Sequence, residues 1–339
     1  MANHRHSHIL GAILPSQRCD AYITAYCHAF IRDLTKAPTD DTNDTMPDVT
    51  DLSFPTPLVS VAWLASTLQE SPATRPVRVI DASTYLPTAG RNAKSEYDAA
   101  HIPGAVFADL GWLSDANAPF PHTLLDAATF GARIGALGIG NDDRVVVYDG
   151  SGQNFSAPRL WWMLRSFGHR QVSVLDGGLT KWVADGNAVT SVVSEIVPKE
   201  FVAALDAACV RDLDAMRTNV ESHAAQVVDA RSPGRFEGTE VEPRAGVRGG
   251  HIPGSVNVHY ATLVNADGTV RSASALRTMF TEAGLDLSQP IIASCGTGVT
   301  ACAVVLALDI VGAADAAVFD GSWTEWGSSA DTPVATGKA

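Results

Sequence analysis

Cys295 opens the run Cys295-Gly296-Thr297-Gly298-Val299-Thr300-Ala301, directly after the apolar stretch Ile291-Ile292-Ala293-Ser294. A thiol at the end of a buried strand, followed by a glycine-bearing turn and a helix start, faces several backbone N–H groups that lack partners of their own. The helix N-terminus adds roughly half a positive charge. Both favour the thiolate, which is the nucleophilic form of cysteine. Gly296 and Gly298 let the turn curl until its amides, including those of Val299 and Thr300, converge on the sulfur. The plainer reading of a cysteine, a small buried hydrophobe, suits Cys302 and Cys209. Cys295 reads as a nucleophile, expected to be ionised and accessible.

The same residues admit two other readings. Gly296-Thr297-Gly298-Val299-Thr300-Ala301 fits the G-x-G-x-x-A pattern of dinucleotide binding, with Asp320 near the place of a ribose-binding acid. Only 19 residues follow Asp320, too few to complete such a domain. A cysteine phosphatase needs an arginine to clamp phosphate after five intervening residues. That position is Ala301.

The elements that must hold the thiol occur twice. Val79-Ile80-Asp81-Ala82 recurs as Val227-Val228-Asp229-Ala230, 148 positions later, and His101-Ile102-Pro103-Gly104 as His251-Ile252-Pro253-Gly254, 150 later. Leu175-Asp176-Gly177-Gly178 returns as Phe319-Asp320-Gly321-Ser322, 144 later. Three matches in order at nearly constant offset imply a duplicated domain rather than a solenoid. The boundaries read as a flexible leader over 1–56, a first copy over 57–189, a linker over 190–219 and a second copy over 220–334. Strands are predicted at 78–80, 144–148 and 172–175, and again at 226–228, 290–294 and 317–319. Helices are predicted at 158–167 and 299–310. The alternation predicts an α/β fold, each copy a mostly parallel sheet flanked by helices, with reactive groups at the strands' carboxyl ends. Aligning the copies sets Asp149, after Val145-Val146-Val147-Tyr148, opposite Cys295, so one copy has a nucleophile and the other none.

Composition narrows the partners. The 339 residues carry 24 Lys+Arg against 37 Asp+Glu, a net charge of −13 that repels phosphate backbones and anionic lipid. Nucleic acid and membrane are therefore not expected as partners. The longest suitable apolar run, Ala301 to Leu308, stops at Asp309, short of the roughly 20 residues a membrane span needs. Five irregularly spaced cysteines form neither a disulfide framework nor a zinc pattern. That usage fits a reducing compartment and a cytoplasmic location. Arg5, Arg18 and Arg32 leave a mitochondrial presequence as the alternative, confined to the first thirty residues by the aspartates that begin at Asp33. His4, His6 and His8 could hold a metal as a short His tract, though solvated polar residues are the simpler reading. Met46 is a possible alternative start.

The loop CGTGVTA at Cys295, the two HIPG motifs, Tyr148-Asp149 with SAPRLWW at Ser156 to Trp162, LDGG at Leu175 and DGSWTEW at Asp320 together resemble the rhodanese superfamily, in its tandem-domain 3-mercaptopyruvate sulfurtransferase branch. The likeness covers about residues 58 to 327. It implies two rhodanese-like domains, a Cys295 persulfide, 3-mercaptopyruvate as sulfur donor, either a thiol such as thioredoxin or else cyanide as acceptor, and no metal or organic cofactor. Thiosulfate-using relatives carry basic side chains directly after the cysteine, where this chain has Gly296 and Thr297. The mercaptopyruvate branch holds the substrate carboxylate with two arginines nine residues apart, which the segment Gly234 to Arg244 places at Arg235 and Arg244. An ion pair with Glu237 or Glu242 is the competing role for these arginines. Relatives often carry Asp-x-Asp after the first HIPG, with the second acid in a proton-handling set with a loop hydroxyl. Here the first acid is Asp109 and the second position is Gly111, while Thr297 supplies the hydroxyl. His122 falls where relatives carry a histidine near the cleft, with substrate orientation and interdomain packing as its two expected roles. A thiosulfate:cyanide sulfurtransferase and a non-catalytic persulfide carrier are the alternatives to this reading.

Overall fold

The computed structural model describes residues 56–70, 76–85, 89–313 and 315–338. The leader over 1–55, with its His tract, arginines and Met46, lies outside the described residues. The first copy runs β1 (Leu58–Val59), α1 (Val61–Gln69), β2 (Val77–Asp81), α2 (Ala93–Ala99), β3 (Val106–Phe107), α3 (Ala127–Ala136), β4 (Arg144–Tyr148), α4 (Ala157–Ser166), β5 (Val172–Leu175) and α5 (Gly178–Ala184). The second runs β6 (Val210–Arg211), α6 (Leu213–Ser222), β7 (Gln226–Asp229), α7 (Pro233–Glu237), β8 (Ser255–Asn257), α8 (Ala273–Glu282), β9 (Ile291–Ser294), α9 (Ala301–Ile310), β10 (Ala316–Phe319) and α10 (Ser322–Ser328).

Each copy builds a five-stranded parallel sheet in the same order, β1-β5-β4-β2-β3 and β6-β10-β9-β7-β8. The central strands are continuous apolar runs, as sheets covered on both faces require. Ile80 pairs with Val147 in the first sheet, and Val228 with Ala293 in the second. The repeats agree down to single side chains. His101 stacks on Tyr97 at 4.0 Å and sets Nδ1 2.7 Å from its carbonyl oxygen. His251 stacks on Phe236 at 3.8 Å with Nδ1 2.8 Å from that carbonyl oxygen. Both HIPG histidines thus pin the turn entering a strand.

The predicted elements appear with small shifts that have physical causes. The strand expected from Pro290 begins at Ile291, since proline brings no N–H to a ladder. The helix expected from Val299 begins at Ala301, because Gly298 is left-handed and keeps Val299 in the turn. That expected from Pro158 begins one residue earlier, at Ala157, with the proline in its first turn.

Helices α4 and α9 are buried on every side from Ala157 to Leu164 and from Ala301 to Leu308, and they pack against each other between the two sheets. A helix apolar all round must be buried all round, which explains the apolar run noted above. The one charged side chain buried within this pair is Arg159. Trp161, Trp162, Trp182, Trp323 and Trp326 are core residues, as expected. Among the described residues no helix is long and apolar enough to cross a membrane, and no cluster of metal-ligating side chains occurs.

Candidate active site

The carboxyl ends of β4 and β9 carry Asp149 and Cys295. Behind Cys295, the start of α10 braces the strand end. The Cys295 amide donates to Ser322 Oγ at 3.1 Å, the Trp323 amide donates to the Cys295 carbonyl at 2.9 Å, and Thr324 donates to the Gly296 carbonyl from both N and Oγ1. With that turn behind it, Cys295 is only 2% exposed. The sequence reading expects an accessible thiol. The structure corrects it to a buried thiol at the carboxyl end of β9.

The loop geometry explains both glycines. A Cβ on Gly296 would meet Arg235 Nη2 at 3.2 Å, so that guanidinium lies directly against the residue after the thiol. Gly298 has φ +78°, and its Cβ would meet the Asp320 carbonyl oxygen at 2.8 Å and Arg159 Nη1 at 3.0 Å. No L-side chain fits there without movement.

The first copy shows what such a loop holds. Asp149-Gly150-Ser151-Gly152 parallels Cys295-Gly296-Thr297-Gly298, with Gly152 also left-handed at φ +74°. Asp149 accepts from the amides of Ser151, Ser156 and Ala157, each at 2.9 Å, the last two at the entry to α4. Where the second copy has sulfur, the first carries an anion fixed by loop and helix-start amides. The loop is therefore built for negative charge.

The two arginines differ. Arg235, on α7, is paired with Glu242 through Nε at 3.2 Å and Nη2 at 2.7 Å. Glu242 also receives Arg231 at 2.7 Å, and Arg231 grips Asp229 at 2.6 Å while stacking on Trp323. The ion pair weighed for Arg235 is thus present, with Glu242 rather than Glu237. It fixes the guanidinium with Nη2 nearest Gly296 and leaves Nη1 outside the pair with Glu242. Arg244 makes no hydrogen bond or ion pair among the described residues. Burial, and then the charge of Arg235, pushes its pKa down, while Cys295 acts in the opposite sense. It is the uncompensated cation of the site.

His122 reaches the loop from the first copy, its Nδ1 3.0 Å from Thr297 Oγ1. Its backbone is left-handed, at φ +65°. Burial first, then the charges of Arg159 and Arg244, lowers its pKa to about 4, so the imidazole is neutral at pH 7. Both expected roles concerned substrate or packing alone. The contact observed is a polar one to the loop hydroxyl. Asp109 spends Oδ1 on the amides of Gly111 and Trp112, which shapes its own turn.

Sequence reasoning missed Arg159, Asp320 as an ion-pair partner, Arg231 and Tyr260. Arg159 Nη2 donates to Asp320 Oδ1 at 2.8 Å and to the His122 carbonyl at 2.6 Å, while Nη1 donates to the Gly298 carbonyl at 3.3 Å. An arginine set directly among Pro158, Leu160, Trp161 and Trp162 in an apolar helix was the available signal. Tyr260 donates across the copies to Gln153 Oε1 at 3.3 Å, and burial followed by the Cys295 charge pushes its pKa up. Cys302 is fully buried, donates to the Gly298 carbonyl at 3.2 Å and is raised by burial to about 12, an inert thiol. Cys209 was read as buried but is half-buried at the chain's crossing between copies.

Two parallel five-stranded sheets with a cysteine at one loop and an aspartate at its twin define a duplicated thiol-loop protein. The rhodanese-like domain model matches residues 60–185 and 212–329, and the chain belongs to the rhodanese family in its tandem form. It is 45% identical over 270 residues to the 3-mercaptopyruvate sulfurtransferase of Homo sapiens, covering 79% of this chain and 91% of that one. It is 44% identical over 286 residues to the thiosulfate sulfurtransferase of Rattus norvegicus, covering 83% and 96%. Among solved structures, the Escherichia coli 3-mercaptopyruvate sulfotransferase SseA superposes with a TM-score of 0.72 at 38% identity, covering 79% of this chain and 99% of that one. The protein is a sulfurtransferase.

Proposed function

We propose that the protein moves sulfur from 3-mercaptopyruvate to a thiol or cyanide acceptor through a Cys295 persulfide. The supporting observation is the charge arrangement: Arg235 is held by Glu242 with its guanidinium against Gly296, Arg244 makes no ion pair among the described residues, and Gly296 and Thr297 carry no charge. A carboxylate bridging Arg235 Nη1 and Arg244 directs the far end of a three-carbon donor toward Cys295.

The Cys295 thiolate attacks the donor sulfur, forming an S–S bond as the C–S bond breaks, and the electron pair leaves as the pyruvate enolate. The sulfhydryl proton of the donor passes to the enolate carbon, so thiolate and donor give persulfide anion and pyruvate without net proton change. Thr297, backed by neutral His122, handles that proton without an acid at position 111. The amides from Gly296 to Thr300 hold the outer sulfur, as those of the first copy hold Asp149. A thiol such as reduced thioredoxin, or cyanide, then removes it. Residues 57–189 form the inactive copy and 220–334 belong to the catalytic one, whose first strand and helix, Val210–Arg211 and Leu213–Ser222, begin within the stretch 190–219 expected as linker. No cofactor enters the cycle. We place it in the cytoplasm, a mitochondrial presequence within the leader being the alternative.

Intact-mass measurement after exposure to 3-mercaptopyruvate tests this. A gain of one sulfur atom, lost in Cys295→Ser, is expected, and absence of that gain in the native protein overturns the reading. The 44% likeness to a thiosulfate sulfurtransferase favours thiosulfate as the second donor reading. Arg235→Ala separates the two by lowering kcat/KM for mercaptopyruvate about 10- to 100-fold while sparing thiosulfate. Equal losses for both donors would refute the carboxylate clamp.

A further inference from the structure

We propose that Arg159 is a positioning residue for the sulfur-transfer step, one guanidinium from the inactive copy holding His122 and the Cys295 loop in register. This rests on the function proposed above. Arg159 rises from α4 and is 1% exposed. Besides Cys302 Sγ, 4.0 Å from Nη1, its two terminal nitrogens serve three groups that belong to different parts of the chain. These are the His122 carbonyl of the first copy, the Gly298 carbonyl of the loop, and the Asp320 carboxylate ahead of α10. Asp320 in turn accepts from the Leu124 amide at 2.8 Å, two residues beyond His122. The left-handed turn that points His122 at Thr297 is thereby held at its carbonyl and at its exit.

The chemistry of guanidinium suits this task. Its donors diverge in one plane at fixed angles, so it sets the relative places of its acceptors, whereas an ammonium is a point charge. The Trp162 ring, 4.7 Å from Cζ, keeps that plane oriented. Binding the Gly298 carbonyl turns that peptide oxygen toward Arg159. The twin position in the first copy has no such requirement. There Gly268, left-handed at φ +81°, takes the place of His122 and lies against Gly152, so a Cβ on it would be 2.8 Å from the Gly152 oxygen. Asp176, the counterpart of Asp320, accepts the crossing Val270 amide at 2.8 Å and the neighbouring Gly177 amide. The copies thus share the crossing carboxylate–amide bond, and the arginine is added on the side that holds the thiol.

The test is the single-turnover rate of Cys295 persulfide formation from 3-mercaptopyruvate, read by quench and intact mass, in Arg159→Lys. The expected result is a rate lowered about 10- to 100-fold, as a displacement of about 1 Å can produce. The donor concentration for half-maximal rate should stay within about twofold, because Arg235 and Arg244 are untouched. In a His122→Ala background the same substitution should slow the step by a smaller factor, since the two residues act through one contact. Arg159→Gln with Asp320→Asn removes both charges together and serves if the lysine variant fails to fold; the same slowing is expected. A rate within threefold of the native protein, or an equal factor in both backgrounds, overturns the positioning role. Failure of the native protein to form a persulfide would instead overturn the function it rests on.

Discussion

His122 shows how one side chain's surroundings set its working range. Burial and the nearby Arg159 and Arg244 outweigh Asp320 and Asp109, and its pKa falls from 6.5 to about 4. A lowered imidazole pKa means that protonation, and the loss of its acceptor nitrogen toward Thr297, begins only as the pH approaches 4. The kcat/KM profile for mercaptopyruvate is therefore expected to show no inflection near 6.5, with an acid limb centred near 4 that disappears in His122→Ala. An acid limb at 6 to 7 tied to His122 would contradict the burial described. Residue type and spacing singled out Cys295, because a strand, a turn and a helix start are local, whereas Thr297 and the two arginines were indicated only by the resemblance of their segments to the family. The burial of the thiol was not visible, since it depends on how the turn at its strand end packs with the start of α10, which follows another strand.

The strand–turn–helix from β9 to α9 depends on Gly298 for both conformation and space. Alanine there would take a left-handed backbone, costing about 1–2 kcal/mol. It would also press on Arg159 and the Asp320 backbone at 3.0 and 2.8 Å. Gly298→Ala is expected to lose about 2–4 kcal/mol of stability in denaturant unfolding and, separately, to lower persulfide formation about tenfold at temperatures where it stays folded. A neutral result in both would show that the turn can reshape freely. Elements were legible to within a residue or two, because the β-branched runs and paired repeats repeat their signals. Their ends shifted by one or two residues, and at Pro290 and Gly298 a local rule explains the shift.

Taken whole, the molecule is joined through α4 and α9, the buried Arg159–Asp320 pair, and the two crossing amides of Leu124 and Val270. Removing one member of a buried pair costs about 3–5 kcal/mol, because the other charge is left unpaired. Calorimetry of the native protein is expected to give one cooperative transition, and Asp320→Ala a lower one that resolves into two. Two transitions in the native protein would mean that the interface contributes little. Pairings of this kind join residues 161 positions apart, and nothing in either segment alone announces the other. Their existence follows from how the copies dock, which the duplicated sequence implies without specifying.

The carboxylate of Asp149 has a consequence for stoichiometry. Its amide seat is occupied by the chain itself, permanently and by a group that cannot be handed on. An anionic donor arriving at the duplicated protein thus finds a single vacant landing place. Under the proposed function, however long the protein is held with excess donor, loading is expected to plateau at one sulfur per polypeptide, and an intact mass showing two would contradict it.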